Sequence, residues 1–166
     1  GKTSAEARTM QGMARLRSWL SRAPVARLSG APALSDDDLR SIGGPLTEGL
    51  RLWPLASTAY VSLALVYALR GQVDPADQLV AAARALGDYD PATLTALAYL
   101  SLLRENPEQA TIDAWSALQT RPTVPASYLL GVAEVQLARL LDALEKNSPR
   151  RIDIVNVLGD LGLTSD

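Results

Sequence analysis

The 166-residue chain contains no cysteine, no histidine and no phenylalanine. The absence of cysteine excludes disulfides, thiolate chemistry and cysteine-ligated zinc, and it leaves the cellular compartment open. The absence of histidine removes the side chain that most often performs acid–base catalysis near neutral pH and binds transition metals. An enzyme with this sequence would depend on carboxylates, lysine, tyrosine or serine alone. We therefore expect a protein without catalytic activity, cofactor or metal site.

Long hydrophobic runs are also missing. The chain has no run of about 18 apolar residues, the length that suggests a membrane-spanning helix. No signal peptide is recognisable, but the chain begins at Gly1 rather than at methionine, which is compatible with removal of a leader. We expect a cytoplasmic location in preference to a periplasmic or lipoprotein-anchored one.

The apolar residues that are present favour helices. They make up 48% of the chain, and alanine and leucine dominate them. Small and unbranched side chains suit helices that pack closely, whereas β-branched and aromatic residues, which favour strands, are few. No segment alternates in the way that a half-buried strand requires. The sequence therefore predicts an all-α fold.

Proline, glycine and capping residues divide the chain into predicted helices. An amphipathic helix at 4–22 is followed by an irregular connection at 24–34. Ser35 and Asp38 have the spacing of a capping box, which opens the next helix. Gly43-Gly44-Pro45 is expected to interrupt that helix before a short one at 45–52. The remaining helices are predicted at 57–70, 75–86, 91–104, 107–119, 126–146 and 150–158.

A 34-residue period runs through the middle of the chain. Tyr60, Leu94 and Tyr128 are successive 34-residue steps, and Ala76 and Ala110 are separated by the same distance. A fixed period of this length is typical of a repeat array, in which each unit buries its apolar face against the next.

The residues at the repeated positions resemble those of the tetratricopeptide repeat (TPR) family. The first unit matches at Tyr60, Leu63, Ala64, Tyr67, Gly71, Ala76, Val80 and Ala83, and the second at Leu94, Leu97, Ala98, Ala110, Ala117 and Pro122. The resemblance covers roughly 42–138 and implies a short α-solenoid of helix–turn–helix units with flanking terminal helices. The alternative is an alanine- and leucine-rich helical bundle whose period is coincidental.

The implied domain organisation has three parts. A basic amphipathic helix and linker occupy 1–34, a repeat domain occupies 35–150, and a capping helix and tail occupy 151–166. Within the repeat domain the units are expected at 57–90 and 91–124, with degenerate units at about 23–56 and 125–150.

The family resemblance also implies where a ligand would bind. TPR ligands lie in a concave groove lined by the first helix of each unit. The corresponding residues here are Thr58, Val61, Leu65, Ala68, Ala92, Thr95, Tyr99, Leu102, Ala126, Leu129, Ala133 and Gln136. Because this face is apolar or neutral, we expect it to bind an apolar or amphipathic segment of a partner protein. The alternative is that the terminal helices cover the face.

A second candidate surface is basic. Residues 1–30 carry six basic residues and one acidic residue, and Arg8, Arg15 and Arg22 lie on one stripe of the first helix. Such a stripe can contact acidic lipid, nucleic acid or an acidic protein, but it is more often a solvated face. We favour the solvated face, and nucleic-acid or membrane contact is not expected. The carboxylates at 36–38 are explained by the helix start and need no metal.

The sequence thus indicates a protein-binding module without catalytic activity. Its size and apolar face are similar to those of bacterial TPR secretion chaperones and of TPR proteins that assemble pili or secretion systems. The alternative is a regulatory or scaffold TPR domain of a larger enzyme. A homodimer through the end faces of the repeat stack is compatible with either.

Overall fold

A computed structural model describes residues 1–22, 34–87 and 89–147. These residues form seven helices and no strand, so the predicted all-α fold is confirmed. The helices are α1 (Lys2–Arg22), α2 (36–52), α3 (Ser57–Leu69), α4 (Val73–Leu86), α5 (Pro91–Leu103), α6 (Pro107–Thr120) and α7 (Val124–Asn147). The connection predicted after α1, except for Leu34, and the helix predicted at 150–158 lie outside the described residues.

Apart from α2, the helices begin and end within two residues of the predicted positions. Asp90 caps α5 by accepting the backbone N–H of Thr93 at 2.6 Å, and Asn106 caps α6 by accepting that of Gln109 at 3.1 Å. Helix α4 begins at Val73, before Pro75. Proline is tolerated there because the N–H groups of a first helical turn have no intrahelical acceptor.

The predicted interruption of α2 is wrong. The capping box is present, since Asp38 N–H donates to Ser35 Oγ at 3.1 Å and Ser35 N–H donates to the Asp38 carboxylate at 3.2 Å. The helix then continues through a π-helical turn at Leu39–Gly43 into Gly44–Leu52. Pro45 has no N–H to donate to the carbonyl four residues earlier, that of Ser41. The Arg15 guanidinium donates to this oxygen at 2.6 Å, which satisfies it from α1.

Consecutive helices pack against each other as hairpins. The most extensive contacts join α1 with α2, α3 with α4, α5 with α6, and α6 with α7. The odd-numbered helices also contact one another in sequence order, α1 with α3, α3 with α5, and α5 with α7. The four odd-numbered helices therefore lie side by side, and a common surface can form along them.

Alanine occupies the positions where helices meet. Nine alanines have no exposed surface, namely Ala59, Ala64, Ala83, Ala98, Ala110, Ala114, Ala117, Ala126 and Ala133. Side chains this small allow the helix backbones to approach closely. A larger core cluster joins α1 to α5, and a smaller one lies between α5, α6 and α7.

Several polar contacts tie neighbouring hairpins together, and two of them join equivalent helices. The hydroxyls of Thr58 on α3 and Thr93 on α5 lie 3.0 Å apart. The Arg84 guanidinium on α4 donates to the buried Asp113 carboxylate on α6 at 2.8 Å, and Gln109 Nε2 donates to the same carboxylate at 3.0 Å. These contacts join first helix to first helix and second helix to second helix, which fixes how adjacent hairpins are aligned.

Glycines permit the crossing of α1 over α2. A β-carbon at Gly49 would contact the Thr9 hydroxyl and lie 3.2 Å from the Ala5 carbonyl oxygen. A β-carbon at Gly12 would lie 2.5 Å from Leu46 Cγ. The two helices therefore cannot keep this separation if either glycine gains a side chain.

We predict that Gly49→Ala lowers the free energy of unfolding by about 1–3 kcal/mol, because the added methyl group forces α1 and α2 apart. Gly131→Ala is the matched control, since a β-carbon at this helical position meets open space. It is expected to stabilise the protein by about 0.5–1 kcal/mol through helix propensity. Urea denaturation followed by circular dichroism compares the two. Equal free energies of unfolding for the two variants would show that α1 and α2 can cross at a larger distance without loss of stability.

A second prediction concerns the ion pair between α4 and α6. Arg84→Ala leaves the buried Asp113 carboxylate without its cation, and we expect a loss of about 3 kcal/mol. Arg104→Ala removes a pair of similar length, 2.7 Å to Asp77, that is open to solvent. It is expected to cost less than about 1 kcal/mol. Thermal unfolding of both variants measures the difference, and equal losses would contradict a special role for the buried Asp113 carboxylate.

Candidate functional site

A cavity of about 970 Å³ lies along the odd-numbered helices, and we call it the groove. Helices α3 and α5 form its floor, α1 forms one wall, and the start of α7 with the segment before it forms the other. The lining side chains are Met13, Leu16, Arg17, Trp19 and Leu20 from α1, Thr58, Val61, Ser62, Leu65 and Leu69 from α3, Asp90 to Thr93, Thr95, Ala96 and Tyr99 from α5 and its cap, and Arg121, Thr123 to Pro125, Tyr128 and Leu129 from the α7 side.

The groove formed by the described residues opens to solvent. Exposed side chains stand on both of its walls, Arg17 on α1 and Val124 and Tyr128 on α7. The alternative expectation was that the terminal helices cover the groove. The apolar side of one of them, α1, forms a wall instead. Leu16 is buried in the larger core cluster, and Met13, Trp19 and Leu20 pack against that cluster.

Seven of the twelve residues that the family resemblance indicates line the groove: Thr58, Val61, Leu65, Ala92, Thr95, Tyr99 and Leu129. Val61 and Leu65 are only 1% and 4% exposed and belong to the core, so they contribute the floor rather than an accessible contact. The accessible groove surface is therefore narrower than the sequence indicated.

The other five predicted residues do not line the groove, and Ala126 among them has no exposed surface. Leu102 and Ala133 are buried in the smaller core cluster, because α5 and α7 both pack against α6 at this level. Ala68 and Gln136 are half-buried and lie outside the lining. The positions that bind ligands in the TPR family do not all line the groove here, because the side of α5 and α7 that carries Leu102 and Ala133 packs against α6.

The sequence interpretation did not include α1, Arg121 or Val124 among the residues that line the groove. The apolar spacing of Met13, Leu16 and Leu20 did indicate a packed face, but the side of the repeat array that α1 occupies depends on contacts distant in sequence. The tetratricopeptide pattern also places no ligand-binding residue in the segment before α7. Only the fold brings Arg17 and Arg121 to the same cavity.

Most polar groups on the floor already have partners. The Thr58 and Thr93 hydroxyls bond to each other, Thr95 Oγ1 donates to the Pro91 carbonyl at 2.7 Å, and the Asp90 carboxylate accepts the Thr93 N–H. Tyr99 is half-buried, and this burial raises the pKa of its phenol. Tyr99 lines the groove, and its phenol, which is protonated at neutral pH, can donate a hydrogen bond.

The three arginines of the predicted basic stripe are exposed, and each donates to a neutral oxygen of the same chain. Arg8 donates to the Gln11 side chain at 3.3 Å, Arg15 to the Ser41 carbonyl, and Arg22 to the Ser18 carbonyl at 3.2 Å. None of these three arginines lines the groove. The solvated face that the sequence favoured is compatible with these local contacts.

The carboxylates at the start of α2 are used within the protein. Asp36 pairs with Arg70 at 2.6 Å, and Asp37 pairs with Arg40 at 2.5 Å. The hydrogen bond from Ser35 is the main cause of a lowered Asp38 pKa, to which Trp19 and Arg22 also contribute. Among the described residues no group of three or more carboxylates could hold a metal ion. None of the helices described is long and apolar enough to cross a bilayer.

The second half of α7 is a further apolar surface. Leu140, Leu141 and Leu144 are exposed, and with Leu137 they follow the spacing i, i+3, i+4, i+7 along one side of the helix. We call this surface the α7 stripe. These leucines belong to neither core cluster of the described residues, whereas Leu129 and Ala133 in the first half of α7 pack with residues of α5 and α6.

No protein-family model, curated protein or solved structure matches the chain. The geometry of the groove is therefore the main basis for a functional conclusion.

We predict different outcomes for charges placed on the floor and on the wall. Leu65→Glu puts a carboxylate into the core and is expected to cost at least about 3 kcal/mol, so that the protein loses its cooperative thermal transition. Tyr128 is 51% exposed, and Tyr128→Glu is expected to cost less than about 1 kcal/mol. Circular dichroism melting curves distinguish the two. A well-folded Leu65→Glu protein would contradict the assignment of Leu65 to the core.

Proposed function

We propose that this protein is a non-catalytic interaction module that binds an apolar or amphipathic segment of a partner protein in the groove. The observation that carries the proposal is an open cavity of about 970 Å³ with an apolar floor. Its volume is at the upper end of the range for ligand sites, which is about 300–1,000 Å³. Burial of apolar surface, at about 25 cal/mol per Å², would supply the affinity.

We also propose that the helices form a short TPR-like solenoid. Two observations support this arrangement. Helices α3 and α5 begin at Ser57 and Pro91, which are one 34-residue period apart. The groove is lined by the first helix of each successive hairpin, as in the concave face of that family. In this proposal α1 and α2 form the first hairpin, so α1 belongs to the array rather than flanking it.

The lining favours a helical segment as the ligand. Apolar side chains of the groove are distributed over four helices, so a ligand helix could place anchors at i, i+3, i+4 and i+7 against several of them. Most of the few polar groups on the floor are already paired and do not require a polar ligand. Shielding such a segment before export or assembly, as the resembled secretion chaperones do, is the cellular role we propose.

The proposal predicts which surface substitutions abolish partner capture. Tyr128→Glu and Ala92→Glu each place a carboxylate on an exposed part of the lining, and both are expected to lose a partner that the unmodified protein retains from a native lysate. Trp115→Glu is the matched control, because Trp115 is 55% exposed on α6 and lies outside the groove. Quantitative mass spectrometry compares the bound proteins. A partner lost equally from all three variants, or from none, would contradict binding in the groove.

A further inference from the structure

We propose that the partner segment is acidic: an apolar helix flanked by carboxylates, which Arg17 and Arg121 bind from opposite walls of the groove. This inference rests on the proposed function, since it specifies the chemistry of the segment that the groove would hold. It differs from the sequence interpretation, in which the groove is neutral and any basic surface lies elsewhere on α1.

The charged groups of the groove are the first argument. Three charged side chains line it, Arg17, Asp90 and Arg121. The Asp90 carboxylate is engaged as the cap of α5, where it accepts the Thr93 N–H at 2.6 Å. Arg17 and Arg121 are both exposed, and neither side chain bonds to any residue that the structure describes. The charged groups available to a ligand are therefore both cationic.

The state of the other arginines is the second argument. Outside the groove, five described arginines pair with carboxylates of the same chain: Arg40, Arg51, Arg70, Arg84 and Arg104. Arg8, Arg15 and Arg22 donate to amide or carbonyl oxygens. Most arginines that the structure describes therefore already bind an oxygen of the same chain. Arg139, on the exposed half of α7, is unpaired too, but it lies far along the helix from the groove residues of α7.

The position of the two arginines is the third argument. Arg17 belongs to the α1 wall and Arg121 to the segment before α7, so the apolar floor lies between them. Tyr99 belongs to the same lining, and its phenol can donate a further hydrogen bond. Donors on both sides of an apolar surface match a ligand with an apolar centre and acceptors at its ends. Carboxylates suit guanidinium groups because both hydrogen bonds are charge-assisted.

The direct test is a pair of synthetic helical peptides that differ only in charge. Both carry leucines at i, i+3, i+4 and i+7 and glutamine on the opposite face; one has two glutamates at each end and the other two lysines. Isothermal titration with the full chain is expected to show about tenfold tighter binding of the acidic peptide at low salt. The difference should shrink at high salt, because exposed charges are screened.

Charge reversal identifies the groups responsible. The double variant Arg17→Glu/Arg121→Glu is expected to prefer the basic peptide, and both positions are exposed, so the fold is retained. The single variants Arg17→Glu and Arg121→Glu are measured as well. Arg139→Glu is their matched control, since it changes the net charge by the same amount outside the groove. It should keep most of the preference for the acidic peptide. An identical loss of preference in Arg139→Glu and in either single groove variant would overturn the inference by assigning the effect to net charge.

The remaining outcomes separate this inference from the proposed function. Equal affinity for the two peptides, or tighter binding of the basic one, would overturn the acidic-partner inference while leaving the groove as a binding site for apolar segments. No detectable binding of either peptide would contradict the proposed function as well. Decanoate is included as a competitor, and its displacement of the acidic peptide at comparable concentration would overturn the inference by assigning the groove to fatty acids.

Discussion

Close contact between helices through alanine is the constraint on which the rest of the structure depends. Ala98, Ala110, Ala114 and Ala133 fill the space between α5, α6 and α7, where larger side chains would separate the helices. Methyl groups can pack together in several alignments of two helices. They therefore determine the distance between the helices better than the position of one helix along the other. The Thr58–Thr93 contact and the Arg84–Asp113 pair provide the directional contacts that alanine lacks. The groove exists because the first helices are both close together and held in one alignment.

Helix boundaries could be predicted because local chemistry decides them. Asp90 and Asn106 cap helices with their own side chains, and the prolines after them fit a first turn, so these signals need no information from distant residues. The continuity of α2 could not be predicted in this way. Gly43-Gly44-Pro45 is typical of a break, and it is helical here because a guanidinium from α1 satisfies the carbonyl that Pro45 leaves without a donor. A contact across 26 residues overrides the local preference.

The groove was predictable only in part, for a related reason. The repeat pattern places Thr58, Thr95 and Tyr99 on the correct side of α3 and α5, because each position follows from the hairpin to which it belongs. Leu102 and Ala133 occupy equivalent positions but are enclosed by packing against α6. The wall formed by Trp19 and Leu20 depends on where α1 lies relative to α3 and α5, which no local pattern encodes. Accessibility is a property of the assembled helices.

The π-helical turn at Leu39–Gly43 has a consequence for how the gene can change length. A π turn accommodates one residue more than an α-helical turn, and here it sits between the capping box of α2 and the part that crosses α1. Deleting one residue within this turn would restore α-helical spacing and keep the segments on both sides of it in register. Deleting one residue from the regular part that follows, before Leu46, would rotate every later residue of α2 by about 100°. Leu46 and Gly49 would then leave the contact with α1. Changes of length should accordingly be tolerated in the turns after α3 and α5 and within Leu39–Gly43, while the length of Gly44–Leu52 stays fixed.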